Sequence, residues 1–179
     1  MIWTVSEGRM AIRRPEPNEA AALTAMLVQL DRQTAFMMLE PDERDPDPAR
    51  LAEWITALDP ATDCYLALFD GARPQGFVHA ERGRFRRNRH SAAVVIGLLE
   101  AARGGGWGKR LLAAVDDWAA GVGVARLELT VMVHNPAAIR LYEKCGYRLE
   151  GRRVASLRVD GGFVDEFAMS KILRGVEPA

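Results

Sequence analysis

The sequence predicts a single mixed α/β domain in which a mostly antiparallel central sheet is flanked by helices. The chain has 179 residues, of which 49% are hydrophobic and 27% charged, and its formal net charge is zero. This balance is typical of a globular protein with one core and argues against disorder. Apolar residues alternate in some segments and recur at helical spacing in others, which predicts strands beside helices. Short turns between consecutive strands favour antiparallel pairing.

In the first half of the chain, a strand and a helix precede an irregular loop, a second helix and three strands. Pro15 ends the first strand, and Asp70-Gly71 predicts a hairpin turn between two later strands. The predicted elements are a strand at 11–14, a helix with its apolar face at 22–30, a loop from Phe36 to Pro48, a helix at 49–58, and strands at 64–69, 75–80 and 91–99.

In the second half, a long helix leads into a strand, a short helix and a closing hairpin. Asn135 and Pro136 are typical of a helix start, and Gly146 is typical of a helix end. The predicted elements are a helix at 107–122, a strand at 127–133, a helix between Asn135 and Cys145, and strands at 152–159 and 163–173.

The domain is expected to occupy residues 10–174. Residues 1–9 are interpreted as a disordered or start-site extension, because Met10 stands just before the first patterned segment, and residues 175–179 as a tail. No apolar run approaches the roughly 20 residues that cross a bilayer, and the first residues lack a signal-peptide pattern. We therefore predict a cytoplasmic protein with no membrane partner.

Cysteine and histidine spacing indicates neither a disulfide framework nor a metal site. Cys64 and Cys145 are far apart in the sequence and outside any Cys-x-x-Cys pattern. His79, His90 and His134 lack the spacing of metal ligands. We expect no bound metal.

The most informative segment is the glycine-rich turn from Arg103 to Lys109, which lies between a predicted strand and a predicted helix. A helix start offers unpaired N–H groups and the positive end of the helix dipole, and glycines let a phosphate approach closely. The spacing is not that of a P-loop, because Arg110 follows Lys109, and it also fails the dinucleotide-binding pattern. A pyrophosphate-bearing ligand is the leading interpretation, and a flexible connector is the alternative.

Two blocks of the sequence carry recognisable motifs, Arg103-x-x-Gly106-x-Gly108 and the segment from Asn135 to Tyr147, NPAAIRLYEKCGY. The first fits the Arg/Gln-x-x-Gly-x-Gly/Ala signature of the GNAT family of N-acetyltransferases. The second is similar to the Asn-x-x-Ala-Ile-x-Leu-Tyr-Glu-Lys-x-Gly-Phe/Tyr segment of the same family. The resemblance covers residues 95–150, and the first 60 residues match loosely.

The resemblance implies a GNAT-like fold in which acyl-coenzyme A (acyl-CoA) inserts where two central strands splay apart. It implies acetyl-CoA as cosubstrate, held by a strand end, the glycine-rich turn and the start of the short helix. Asn135 has a second interpretation as a helix cap, which is equally physical. The implied cofactor-binding residues are Leu98, Leu99, Arg103, Gly104, Gly106, Trp107, Gly108, Lys109 and Asn135.

Tyr142 falls where many members of the family place the general acid. A phenol with a pKa near 10 can protonate a departing thiolate whose pKa is about 8.5. The alternative is a core aromatic, because Ala138, Leu141 and Cys145 share its helical face. We predict Tyr142 as catalytic, with direct attack of an amine on the thioester through a tetrahedral intermediate. A covalent route through Cys145 is disfavoured, since no histidine partner is evident beside it.

The general base is not identified by the sequence. Relatives that act on protein N-termini often have an acid at the position of Thr130, so this threonine argues against such a substrate. Titratable residues on predicted strands are more typical of solvated or paired side chains than of catalytic ones. These residues are His79, Glu81, Glu128, Asp165 and Glu166.

The expected acceptor is a small-molecule amine such as an amino acid, a polyamine or an aminoglycoside-like compound, selected in part by the loop at Phe36–Arg44. The alternatives are a protein N-terminal or lysine acetyltransferase and a non-catalytic acyl-CoA sensor. The arginine-rich run at 82–90 could bind RNA, but it favours a solvated hairpin tip because no RNA-binding signature accompanies it. We expect no nucleic-acid partner, and a homodimer stays open.

Overall fold

The computed structural model of the chain describes residues 5–173. Within that range, one 8-stranded sheet is accompanied by four α-helices. The strands are β1 (Val5–Glu7), β2 (Met10–Arg13), β3 (Asp63–Asp70), β4 (Arg73–Arg82), β5 (Ser91–Leu98), β6 (Arg126–Met132), β7 (Arg148–Val159) and β8 (Gly162–Ile172). The helices are α1 (Ala20–Gln33), α2 (Pro48–Ala57), α3 (Trp107–Val122) and α4 (Pro136–Lys144).

The sheet is mostly antiparallel, as predicted. Its strands lie in the order β1-β2-β3-β4-β5-β6-β8-β7. All neighbouring pairs are antiparallel except β5 and β6, which are parallel. A parallel pair needs a crossover connection, and α3 supplies it. The mixed α/β fold is therefore confirmed.

The N-terminal segment differs from its prediction. Val5–Glu7 pairs with β2, with Glu7 opposite Met10, so part of the expected loose extension is the edge strand of the sheet. Three residues are too few for an alternation pattern, and the strand is recognisable only through its pairing. Residues 1–4 and the predicted tail at 175–179 lie outside the described residues.

Apolar side chains cover both faces of the sheet, because alternate residues of each strand point to opposite sides. Tyr65 of β3 and Phe77 of β4 pack beneath α1 and α2 on one face. Leu66 of β3 packs with α3 on the other face, where Leu111 and Val115 are fully buried. Burying each such aliphatic side chain contributes roughly 1.5–3 kcal/mol. Between residues 5 and 173, none of the helices has the length and apolarity that crossing a membrane requires.

The central strands β5 and β6 separate soon after they begin. They pair over three register positions, from Ser91 opposite Arg126 to Ala93 opposite Glu128. Beyond this point β5 stays with β4 and β6 stays with β8, so a gap opens between them. The backbone groups that line the gap lack strand partners. Since such groups need hydrogen bonds, the gap is a place for water or a ligand.

Candidate active site

Leu98 and Leu99 lie where β5 ends beside the gap. The N–H of Leu99 donates to the Gln75 carbonyl at 2.9 Å, so it points toward β4. Because backbone groups alternate in direction along a strand, the N–H and C=O of Leu98 point into the gap. The Leu98 carbonyl accepts a hydrogen bond from Arg103 Nε at 3.0 Å. Of the two predicted positions, Leu98 is the one whose backbone faces the gap.

The glycine-rich turn leads from this strand end into α3. Gly104 and Gly106 have φ values of +80° and +79°, and an added Cβ at either would meet no atom within 4 Å. Among the described residues, no side chain caps the helix. The N–H groups of Trp107, Gly108 and Lys109 therefore lack helical partners. The open side of the turn offers backbone donors and the positive end of the helix dipole to an anion.

The larger side chains of the turn divide between the core and the surface. Arg103 and Lys109 are exposed. Trp107 is buried, with the guanidinium of Arg110 4.5 Å from its ring centroid, and Arg110 also pairs with Glu7 of β1. Trp107 therefore offers its backbone N–H, rather than its ring, to the open side of the turn.

Gly108 allows α3 and α4 to approach each other. A Cβ at this position would lie 2.9 Å from Leu141 Cδ2 and 3.6 Å from Leu98 Cδ1. Only a residue without a side chain fits there unless Leu141 moves. The glycine thus brings α4, which carries Tyr142, close to the end of β5.

Asn135 caps α4. Its Oδ1 accepts a hydrogen bond from the Ala138 N–H at 3.2 Å, and Pro136 is the first residue of the helix. The capping role that the sequence left open is therefore present. It uses the acceptor of the side chain, and the amide nitrogen can still donate to a ligand.

Tyr142 is both a core aromatic and a chemically suitable proton donor. Its side chain is buried, at 7% exposure, and its ring centroid lies 5.8 Å from that of Tyr147. Burial, with a smaller contribution from nearby Cys145, raises the pKa of Tyr142 to about 12. The phenol therefore keeps its proton at neutral pH, as a general acid must.

The raised pKa of Tyr142 predicts a loss of stability in alkaline solution. An unfolded tyrosine ionises near pH 10, whereas folded Tyr142 holds its proton to about pH 12. The folded state binds more protons in that window, so this residue lowers the free energy of unfolding by about 2 kcal/mol as the pH rises through it. Urea unfolding at about pH 9 and about pH 12 measures the loss, which should be smaller in Tyr142→Phe. Equal losses in the two proteins would contradict this assignment.

A cavity of about 330 Å³ lies beside the end of β6. One wall is the segment after α1 and the other is the β7–β8 turn, so the loop predicted at Phe36–Arg44 forms part of it. Its apolar lining includes Met37, Met38, Leu39, Met132 and Leu157. Its charged lining includes Asp31, Arg32, Glu40, Arg158 and Asp160.

Two contacts hold the loop wall in place. Arg44 pairs with the buried carboxylate of Asp31, and its Nη2 donates to Oδ1 at 3.0 Å. The ring of Phe36 lies 5.3 Å from that of His134, which precedes α4. The loop is therefore anchored both to α1 and to the turn that leads into the proposed cofactor side.

The arginine-rich run lies away from this site. It forms the exposed turn between β4 and β5, with Phe85 at 75% exposure. That turn precedes β5 whereas the glycine-rich turn follows it, so eight residues of strand, about 25 Å, separate the two.

Residues 5–173 contain no group of three His, Cys, Asp or Glu side chains placed to hold a metal.

Comparison with known proteins identifies the family. A sequence profile described as the Acetyltransferase (GNAT) family matches residues 25–147, which is more than half of the chain. The chain belongs to the GNAT family. A GNAT-family acetyltransferase from Streptococcus pneumoniae is 28% identical, with a TM-score of 0.83 over 92% of this chain and 99% of that one. The GNAT-like fold expected from the resemblance is thereby confirmed.

Two further proteins are similar to this GNAT chain. The yncA protein of Salmonella typhimurium, solved with its cofactor acetyl-CoA, has a TM-score of 0.82 and 21% identity over 96% of this chain and 98% of its own. The L-amino acid N-acetyltransferase AaaT of Escherichia coli is 33% identical over 64 residues, which is 36% of this chain and 38% of AaaT. The chain spans little more than a third of the length of the curated relatives it matches.

The predicted cofactor residues lie at the end of β5, in the glycine-rich turn and at the start of α4, the helix that carries Tyr142, and the roles of all of them stay predictions. The sequence did not point to the opposite wall, which the β7–β8 hairpin forms together with Met132. One signal was available, because Asp165 and Glu166 are adjacent in a strand. Because successive side chains of a strand point to opposite faces of the sheet, one of two neighbouring acids must lie on the face that borders the cavity.

Proposed function

We propose that this GNAT protein is an acetyl-CoA-dependent N-acetyltransferase acting on the primary amine of a small molecule. The observation that carries the proposal is the gap between β5 and β6, which ends at the glycine-rich start of α3. Membership of an acetyltransferase family supports the reaction. The acetyl-CoA bound to yncA, which has the same fold, supports the cosubstrate.

The residues around the gap fit acetyl-CoA, which supplies the acetyl group as a reactive thioester. In this proposal, backbone N–H groups of the turn at 104–109 hold the pyrophosphate, and the exposed Arg103 and Lys109 add positive charge. The backbone of Leu98 and the amide of Asn135 hold the pantetheine arm, which would take over the unpaired edge of β5. The N–H of Leu99 already donates to the Gln75 carbonyl, so in this proposal the neighbouring Leu98, and not Leu99, makes the backbone hydrogen bond to the cofactor.

Two groups of the chain act on the reacting atoms in this proposal. The Leu98 N–H stabilises negative charge that develops on the carbonyl oxygen as the amine attacks. Tyr142 donates its proton to the leaving sulfur. Cys145 is not a nucleophile here, because burial raises the pKa of its thiol and disfavours the thiolate.

The size of the cavity supports a small acceptor. A volume of about 330 Å³ lies at the lower end of the range of about 300–1,000 Å³ that small-molecule sites occupy. The lining combines apolar side chains with Arg32, Arg158, Glu40 and Asp160, which suits a compound carrying both charges and an apolar part. The name of the relative AaaT supports amino acids as the first class to test.

The test is a panel of amines incubated with acetyl-CoA and the purified protein. Free thiol release and acetylated product, followed by mass, should appear with amino acids and stay absent without an amine. Turnover with peptides alone would replace the acceptor by a protein amine. Tight binding of acetyl-CoA without turnover of any amine would favour the sensor interpretation instead.

A further inference from the structure

We infer that Glu166 binds the ammonium group of the acceptor and takes up the proton that this group must lose. The inference rests on the proposed function and names the base that the sequence left unidentified. A protonated amine has no lone pair to attack with, so the site needs a carboxylate or imidazole within reach of the acceptor nitrogen.

The side chain of Glu166 lies on the face of the sheet that borders the cavity. It lies opposite Met132 of β6, and Val164, two residues earlier in β8, lies opposite Leu157 of β7. Opposite residues of antiparallel strands share a face, and so do residues two apart on one strand. Met132 and Leu157 both line the cavity. Glu166 therefore projects to the same face from the strand that runs between them, next to the cavity, although it is not itself one of the lining residues.

The burial of Glu166 is only partly compensated within the protein. Its side chain is 5% exposed, and a buried carboxylate is costly unless it is paired. Arg153 donates from Nη1 to Oε2 at 3.3 Å, but the Arg153 side chain is 57% exposed. Among residues 5–173, no group donates to Oε1, and this oxygen is not one of the fully buried unpaired atoms, so it keeps some accessible surface. An ammonium group in the cavity would supply the missing donor.

The other candidate bases are engaged elsewhere. Asp165 points to the opposite side of β8, where it accepts the Ala155 N–H at 2.7 Å and supports the irregular segment of β7. Glu81 and Glu128 are about half exposed and each pairs with an arginine. His79 packs against a tryptophan of α2, beneath a different part of the sheet.

Other charged groups face the same space and enter any pH dependence. Arg153 is the one in contact with Glu166, and the Asp31 carboxylate is already paired with Arg44. The remaining charged groups on the cavity wall are Arg32, Glu40, Arg158 and Asp160.

The protons balance when Glu166 and Tyr142 act on the two sides of the reaction. Glu166 takes one proton from the ammonium group and releases it to solvent. The neutral amine forms the C–N bond, the C–S bond breaks, and the sulfur takes the Tyr142 proton. The second proton leaving the nitrogen restores Tyr142. The overall reaction converts an ammonium and a thioester into an amide, a thiol and one released proton.

The experiment compares Glu166→Gln with the wild-type protein over a range of pH. With an amino acid acceptor at about pH 7, kcat/KM should fall at least about 100-fold, because a glutamine cannot accept the proton. The deficit should shrink as the pH rises to about 10, because more of the acceptor is then already neutral. Glu166→Asp should recover part of the activity. Affinity for acetyl-CoA should stay within about threefold in both variants, which also reports that they fold.

Glu128→Gln is the matched control. Glu128 lies on the same face of β6, four residues before Met132, but it is 48% exposed. Its removal should change kcat/KM by less than about twofold at any pH, as expected for a surface ion pair.

The inference is overturned if Glu166→Gln keeps at least a third of wild-type kcat/KM at about pH 7, or if its deficit is the same at every pH, as a structural role predicts. When the wild-type enzyme is active, neither result contradicts the proposed function. If the wild type turns over no amine, calorimetry with each amine and CoA decides. Binding that Glu166→Gln abolishes keeps the ammonium site, whereas no amine binding overturns both proposals.

Discussion

Replacing Tyr142 with phenylalanine is expected to lower kcat at least about 100-fold while leaving the Kd for acetyl-CoA within about threefold. The expected loss is large because the leaving thiolate then has no proton donor. Binding should persist because the phenylalanine ring retains the packing of the tyrosine ring, and residue 142 is only 7% exposed. Steady-state kinetics and calorimetry together separate the two effects.

Tyr147→Phe is the matched control for this variant. Tyr147 is buried beside Tyr142, and its hydroxyl has no hydrogen-bond partner in the described part of the chain. Removing it should leave kcat within about twofold, since no proton is taken from it in the proposed reaction. Equal losses in both variants would assign Tyr142 to packing. An unchanged kcat in Tyr142→Phe would remove the phenol from the mechanism.

Gly106→Val is expected to weaken acetyl-CoA binding by about 100-fold or more. Gly106 has a φ of +79°, where a β-branched side chain is strained by roughly 1–2 kcal/mol. The added atoms would also project into the open side of the turn, where the proposal places the pyrophosphate. The Kd from calorimetry measures the loss, and the unfolding free energy measures the strain alone.

Gly123→Val separates strain from ligand binding. Gly123 ends the same helix with a φ of +73°, and an added Cβ there also meets no atom within 4 Å. This variant should lose a similar amount of stability and keep its affinity for acetyl-CoA. If both variants bind acetyl-CoA normally, the pyrophosphate does not lie at the start of α3.

Much of the fold could be predicted because its elements carry local signals. The helix at 107–122 has the predicted bounds, since it begins after Gly106 and ends at Gly123, and both glycines adopt the left-handed conformation. The hairpins around Asp70-Gly71 and Asp160–Gly162 likewise carry their own turn residues. These features depend on a few neighbouring residues and on no distant contact.

The parts that were missed depend on long-range pairing. The edge strand at Val5–Glu7 exists through its contact with β2. Glu166 is distinguished from Asp165 only by which side of β8 faces the cavity, which depends on the register with β6. The cavity itself joins residues from α1, the following loop, β6 and the β7–β8 turn, which lie more than 100 residues apart in the sequence. Local sequence patterns carry no information on such long-range contacts.

The cofactor half of the site carries family motifs within one continuous region, and the roles of its residues stay predictions. The acceptor half had no such motif, and its walls come from segments outside the recognised blocks. The arrangement explains why acetyl-CoA could be named from the sequence whereas the base and the acceptor could not.

A crystal structure of the protein with acetyl-CoA tests the central claim most directly. We expect the pantetheine arm between β5 and β6, a hydrogen bond to the Leu98 backbone, and the pyrophosphate on the N–H groups of the turn at 104–109. The thioester sulfur should lie within hydrogen-bonding reach of the Tyr142 hydroxyl. Acetyl-CoA bound anywhere outside the gap, with the edges of β5 and β6 still unpaired, would contradict the proposed site.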